Sequence, residues 1–172
     1  MRRHFKAYIR KFHTLLDAKD APHSVAGGTS IGVFFGFLPI FGFKTLSAMG
    51  ISLATRAGVA FALITGEAGP LIDRYAEKMR INFVWKACRN KADALREFSE
   101  ATGLPLEEIG FVGDDVNDLS AIALAGFSAA PSDAHPLVLK AADFVAKAGG
   151  GRGAVREVLD HLDLCGHPAT PQ

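Results

Sequence analysis

Acidic side chains are nearly missing from the first third of this chain. Residues 1–56 carry only Asp17 and Asp20, against eight Lys/Arg. Cysteine is scarce too: Cys88 and Cys165 lie far apart and form no CxxC pair, which argues against a disulfide scaffold or a structural zinc site and makes a reducing compartment the default. With 49% hydrophobic and 22% charged residues, the chain lacks the polarity of a disordered protein and the regularity of a collagen or coiled coil. The apolar run near its start begins too late, and lacks the small-residue cleavage site, for a cleaved signal peptide. A broad basic face is also missing, because the basic residues form one short helix and the remainder is acidic, so a nucleic-acid partner is not expected. What is present is a chain of 172 residues, long enough for one domain, or one domain plus an appendage. Its net charge of +1 is the sum of two unlike parts, +6 over residues 1–56 and −5 over residues 57–172.

Residues 1–20 read as a basic amphipathic helix. Phe5, Tyr8, Ile9, Phe12, Leu15 and Leu16 recur at helical spacing, with Arg2, Arg3, Lys6, Arg10 and Lys11 between them. Such a helix either packs on a core or lies on an anionic membrane surface. From Ser24 to Phe43 there is no charge at all, a length that could cross a hydrocarbon core of ~30 Å. Pro39 and its neighbouring glycines disfavour one straight helix, so a broken or re-entrant hairpin fits the membrane reading. The flanking positive charge would keep the N-terminus on the cytoplasmic side. The alternative is a core strand and helix. The string AGGTSIGVFFGFLPIFGFKTL resembles the signature of a bacterial membrane-associated family, DUF2062, which implies a membrane location but no chemistry.

From Gly58 the pattern changes. Short apolar runs at Gly58–Ile64, Ile81–Trp85, Ile109–Val112, Phe127–Ala130 and Asp143–Ala146 alternate with helical patterns. The helices fall at Pro70–Arg80, Lys91–Thr102, Asn117–Ala125, Pro136–Ala142 and Gly153–Leu162. This alternation predicts an α/β fold with a parallel sheet covered by helices, and a ligand beyond the carboxyl ends of the strands. Three motifs fall there. Ile-Thr-Gly at 64–66 offers a hydroxyl and a backbone N–H suited to a phosphate oxygen, though most Thr-Gly pairs are simply turns. Lys91 opens a helix after Asn90 and can neutralise phosphate, or stay solvated. Gly-Asp-Asp-Val-Asn-Asp at 113–118 sets three carboxylates within five residues, an arrangement that suits Mg²⁺ or an acidic helix N-terminus.

In this order the motifs resemble the haloacid dehalogenase superfamily. The similarity is to its capless branch acting on 3-deoxy-D-manno-octulosonate 8-phosphate and related acidic sugar phosphates, with a place in lipopolysaccharide assembly. The strings are FALITG, NKADAL, LEEIGFVGDDVNDL, SAAPSDAHP and GGRGAVREV, spread from about Gly58 to Leu164. The resemblance implies a three-layer Rossmann-like parallel sheet, Mg²⁺ as cofactor, a phosphorylated sugar acid as ligand and a homo-oligomer, a tetramer in the family. It gives Thr65 and Lys91 to the phosphoryl group and Asp114 to the metal, with Asp115, Asn117 and Asp118 supporting Lys91 and the loop. Gly66, Glu67 and Arg152 fall to the substrate, Arg152 in a C-terminal segment that in this branch often reaches a neighbouring subunit. Where the octulosonate enzymes usually carry Arg, this chain has Glu67; enzymes for nine-carbon sialic-acid-like phosphates tend to be acidic there.

One departure goes deeper. The family's nucleophile is the first Asp of an Asp-x-Asp-Gly motif on the central strand, and the second Asp is its general acid/base. No Asp-x-Asp occurs upstream of Gly58; Asp17 and Asp20 are spaced three apart and are not followed by Gly. The expectation is therefore a sheet lacking its usual first strand and a chain that turns over poorly. A non-catalytic phosphate- or metal-binding module, or a membrane-associated interaction protein, is the alternative. The division expected is 1–56, a hydrolase body over 57–164 and a tail over 165–172. The expected location is cytoplasmic, with contact to the inner face of the membrane through residues 1–56.

Overall fold

The computed structural model describes residues 59–162 and, ahead of them, the backbone of one strand, Gly32–Phe35. Six parallel strands form one sheet: β1 (Gly32–Phe35), β2 (Ala60–Ile64), β3 (Phe83–Trp85), β4 (Ile109–Val112), β5 (Phe127–Ala130) and β6 (Phe144–Val145). Their spatial order is β3-β2-β1-β4-β5-β6. The helices are α1 (Pro70–Met79), α2 (Lys91–Thr102), α3 (Leu119–Leu124), α4 (Pro136–Ala141) and α5 (Ala154–His161). The α/β parallel architecture is the one expected from the alternating pattern.

Alternation along the strands feeds two cores. Phe61 and Leu63 of β2 join Val112, Phe127 and Ala129 on the face covered by α1 and α5, with Ile72, Ala76, Val158 and Leu159. Ala62 and Ile64 join Ile109, Phe111 and Ala130 on the other, under Leu95 and Phe98 of α2, Ile122 of α3 and Val138 of α4. Local signals set the helix ends. Pro70 at the first position of α1 and Asn90, whose carboxamide oxygen accepts from Ala92 N–H, start two helices, and Gly103 at φ 71° stops α2.

The centre of the sheet corrects one expectation. Gly32–Phe35, inside the uncharged run, pairs in parallel with β2 on one side and β4 on the other. The place expected to be vacant holds a strand, and for these four residues the core-strand alternative is the one observed. Chain order reverses on either side of β1, which makes the carboxyl ends of β1 and β4 the topological switch point. The basic helix expected over 1–20, the remainder of the apolar run, Asp17, Asp20 and the tail 165–172 lie outside the described residues. Among the described residues no helix is long and apolar enough to cross a membrane.

Candidate functional site

Thr65 and Asp114 stand at equivalent heights on the two strands flanking β1. Phe35 is level with both Leu63 and Val112, and each polar residue follows its strand partner by two positions. With neighbouring strands ~4.8 Å apart, the two backbones approach to about 10 Å across β1. Thr65 is buried and locked by backbone bonds, its N–H donating to the Trp85 carbonyl and its own carbonyl accepting from Cys88 N–H, both at 2.9 Å. Glu67 N–H donates to Thr65 Oγ1 at 3.1 Å. That leaves the hydroxyl proton to donate outward.

On the other side, the Asp118 carboxylate organises the loop. Its Oδ2 accepts from the backbone N–H groups of Asp114 (2.9 Å) and Asp115 (3.2 Å), and its Oδ1 takes the Lys91 ammonium at 2.5 Å. Lys91 is 4% exposed and Asp118 fully buried, so the pair is cut off from water. Gly113 makes room for it: a Cβ there would stand 2.6 Å from the Asp118 side chain. Asp115 is exposed, accepts from Val116 N–H at 2.7 Å and completes a capping box with Asp118.

Asp114 itself is half-buried. Desolvation, and after it the Asp118 carboxylate, push its carboxyl up to about 6, with Lys91 pulling the other way. No ion pair reaches it among the described residues, whose four pairs all lie elsewhere. A carboxylate held in this state fits a divalent cation that also carries phosphate oxygens and water. No group of three His, Cys, Asp or Glu side chains converges among the described residues, so a cation at Asp114 would take its other ligands from phosphate and water.

The structure thus brings Lys91, Asp114, Asp115 and Asp118 together, with Thr65 level across the central strand. Gly66 and Glu67 are exposed beyond Thr65; Gly66 has an ordinary φ and its nearest neighbour to a Cβ would be 3.9 Å away, so its glycine leaves space rather than relieving strain. Asn117 is exposed. Arg152 sits in the Gly-rich turn before α5, also exposed.

Sequence reasoning passed over the connection 131–135. His135 N–H donates to the Asp114 carbonyl at 2.8 Å, and Asp133 Oδ1 accepts from Gly150 N–H at 2.7 Å. Both residues lie within SAAPSDAHP, a string that marks the family resemblance without giving either of them a role.

Two family models match. Residues 51–159 match the haloacid dehalogenase-like hydrolase model, and residues 5–68 match a model described as an uncharacterized protein conserved in bacteria, DUF2062. Strand β1 lies within the second stretch alone. The 3-deoxy-D-manno-octulosonate 8-phosphate phosphatase KdsC of Escherichia coli K12 is 35% identical over 122 residues, 71% of this chain and 65% of the relative. The match therefore spans just under two thirds of that curated relative. The cobalt-bound deoxy-D-mannose-octulosonate 8-phosphate phosphatase of Haemophilus influenzae superposes with a TM-score of 0.73 at 25% identity, covering 82% of this chain and 90% of that one. The 3-deoxy-D-manno-octulosonate 8-phosphate phosphatase of Yersinia pestis gives 0.72 at 27% identity, covering 86% of each.

Proposed function

The chain belongs to the haloacid dehalogenase-like hydrolases, and from that premise we propose that it binds the phosphate monoester of a 2-keto sugar acid together with Mg²⁺ and hydrolyses it poorly. The ligand is of the 3-deoxy-octulosonate 8-phosphate or nonulosonate 9-phosphate type. The observation that carries this reading is the buried Lys91–Asp118 pair that holds the Asp114 loop, with Thr65 at the same height on the other side of β1. Two donors of opposite character then meet the phosphoryl oxygens: Thr65 Oγ1–H gives a hydrogen bond and Lys91 Nζ gives charge. Asp118 keeps Lys91 oriented through the salt bridge and keeps Asp114 in place through its N–H. Mg²⁺ when bound would neutralise phosphoryl charge, held by the Asp114 carboxylate. Support for the cation comes from the donor set and from the cobalt-bound relative, and support for the ligand class from the octulosonate 8-phosphate phosphatases.

The nucleophile does not follow. After Asp20 the next carboxylate is Glu67, and β1 is succeeded by Gly36, Phe37, Leu38 and Pro39. Without an aspartate to take the phosphoryl group covalently, turnover should fall by several powers of ten. Glu67 at the mouth favours the nine-carbon ligand by the resemblance. Arg152 is assigned to the sugar acid's carboxylate. Residues 57–164 form the hydrolase body in this reading, with β1 lent to its sheet, in a cytoplasmic protein that assembles as a homo-oligomer. A central strand of a parallel sheet with helices on both faces is shielded from lipid, so membrane contact falls to the basic stretch 1–20.

A phosphate-release assay with Mg²⁺ on both sugar phosphates, beside calorimetric binding of the same ligands, tests this. Binding in the micromolar to millimolar range with scarcely detectable release is expected, with binding lost in Asp114→Ala. Fast release abolished in that variant would refute the weak-turnover reading; absence of binding would refute the ligand class.

A further inference from the structure

The connection between β5 and α4 reaches in two directions at the carboxyl edge of the sheet. Toward the phosphoryl side, His135 N–H donates to the Asp114 carbonyl at 2.8 Å. Toward the C-terminal loop, Ser132 N–H donates to the Ala148 carbonyl at 3.1 Å, and Asp133 Oδ1 accepts from Gly150 N–H at 2.7 Å. The second oxygen of Asp133 lies against Gly149, where a Cβ would stand 2.6 Å from it. Arg152 N–H then donates to the Gly149 carbonyl at 3.1 Å, closing the turn that presents Arg152.

Gly149, Gly150 and Gly151 precede Arg152, and Gly153 follows it. Such a run loses more conformational freedom on ordering than any other sequence, so left alone it would spread Arg152 over many positions. A carboxylate accepting from a backbone N–H in its middle opposes that spread with a charge-assisted bond. The Arg152 guanidinium has no carboxylate partner among the described residues, so it is available to one from outside.

We infer that Asp133 is a positioning residue: by clamping Gly150 it sets Arg152 at a fixed distance from Asp114, and so matches the loop to a ligand whose carboxylate and phosphate lie at opposite ends. This rests on the ligand reading above. Asp133 touches neither end of the ligand itself. Its removal should weaken recognition of the carboxylated sugar while sparing recognition of phosphate, which loss of folding would not do.

The test titrates the full chain, with Mg²⁺, against inorganic phosphate and against whichever of the octulosonate 8-phosphate and nonulosonate 9-phosphate ligands the unaltered chain binds more tightly. In Asp133→Ala the sugar phosphate should bind about tenfold more weakly, with phosphate affinity unchanged. Asp133→Asn should restore most of the loss, because its carboxamide oxygen still accepts from Gly150 N–H. Arg152→Ala should lose as much as Asp133→Ala, and the double variant no more than either. Equal weakening of both ligands by Asp133→Ala, or an unchanged preference beside a lowered one in Arg152→Ala, would overturn the inference. An unchanged preference in Arg152→Ala would instead count against the ligand reading. The clamp is then judged by amide exchange at Gly150: faster exchange in Asp133→Ala with protection kept in Asp133→Asn upholds it, and unchanged exchange overturns it.

Discussion

The carboxyl ends of β4 and β1 lie side by side in one sheet and have been furnished very differently. After β4 come Gly113, Asp114, Asp115 and the buried Asp118, joined to Lys91 by a bond that water does not reach. After β1 come Gly36, Phe37, Leu38 and Pro39, with no charge before Lys44. In the proposed function the first end holds the groups that would stabilise charge on a phosphoryl ligand. The second is where the family places the group that attacks it. In that proposal binding and bond-breaking are separable, because they fall to different strands, which lie in stretches matching different family models.

The sharpest way to break the β4 side is to remove one member of the buried pair. Lys91→Ala leaves Asp118 charged and dry, and should cost about 3–5 kcal/mol in urea unfolding. Lys86→Ala, which deletes the exposed partner of Asp73, should cost no more than about 1 kcal/mol. Comparable losses would mean that the two pairs share an environment, contrary to the geometry. The β1 side is sharpened by addition. Gly36→Asp with Leu38→Asp recreates the absent spacing, and phosphate release should rise on the order of 100-fold. No rise, with ligand binding intact, would show that the segment after β1 does not present its side chains to the phosphoryl group.

A third contrast is with pH. Asp114 must be ionised to hold a cation, and its carboxyl titrates near 6 when nothing is bound. Mg²⁺-dependent phosphate affinity should therefore climb from pH 5 to pH 7, by up to about tenfold per unit below the midpoint, and level off above it. In Asp114→Asn that climb should vanish in the same titration. The sign for stability is opposite. In the metal-free protein the folded state holds the Asp114 proton more tightly than the unfolded chain, whose Asp titrates near 3.8. Its contribution therefore declines as pH rises from about 4 through 6. The smallest effect is expected at Thr65→Val, which keeps the buried shape and removes one donor. Phosphate affinity should drop about threefold to tenfold by calorimetry, with stability little changed.

Much of the fold was legible because local rules agreed. Pro70, Asn90 and Gly103 mark helix ends by capping and backbone preference, and the strand runs at Ile109–Val112 and Phe127–Ala130 begin and end where the pattern puts them. Strand β1 was ambiguous for a physical reason. A central parallel strand is covered on both faces and so is apolar at every position, which is also how a segment in lipid reads. Four residues inside an uncharged run of twenty carry no period to separate the two. Within the site, Lys91 and Asp114 were marked by motif. Asp133 was not, since its partner Gly150 lies 17 positions away and is a backbone group, so no side-chain pattern announces it.

The central position of β1 also bears on how the protein is made. Phe35 must pair with Val112, and β4 begins 74 residues after β1 ends. At ~5–20 residues per second, the ribosome finishes that interval in roughly 4–15 s. For those seconds an uncharged, phenylalanine-rich segment is outside the ribosome without its β4 neighbour. Contacts of such long span also make folding slow. Exposed apolar segments of this kind are what chaperones bind in such a window. The yield of folded protein should then depend on synthesis rate more than the stability of the finished sheet would suggest.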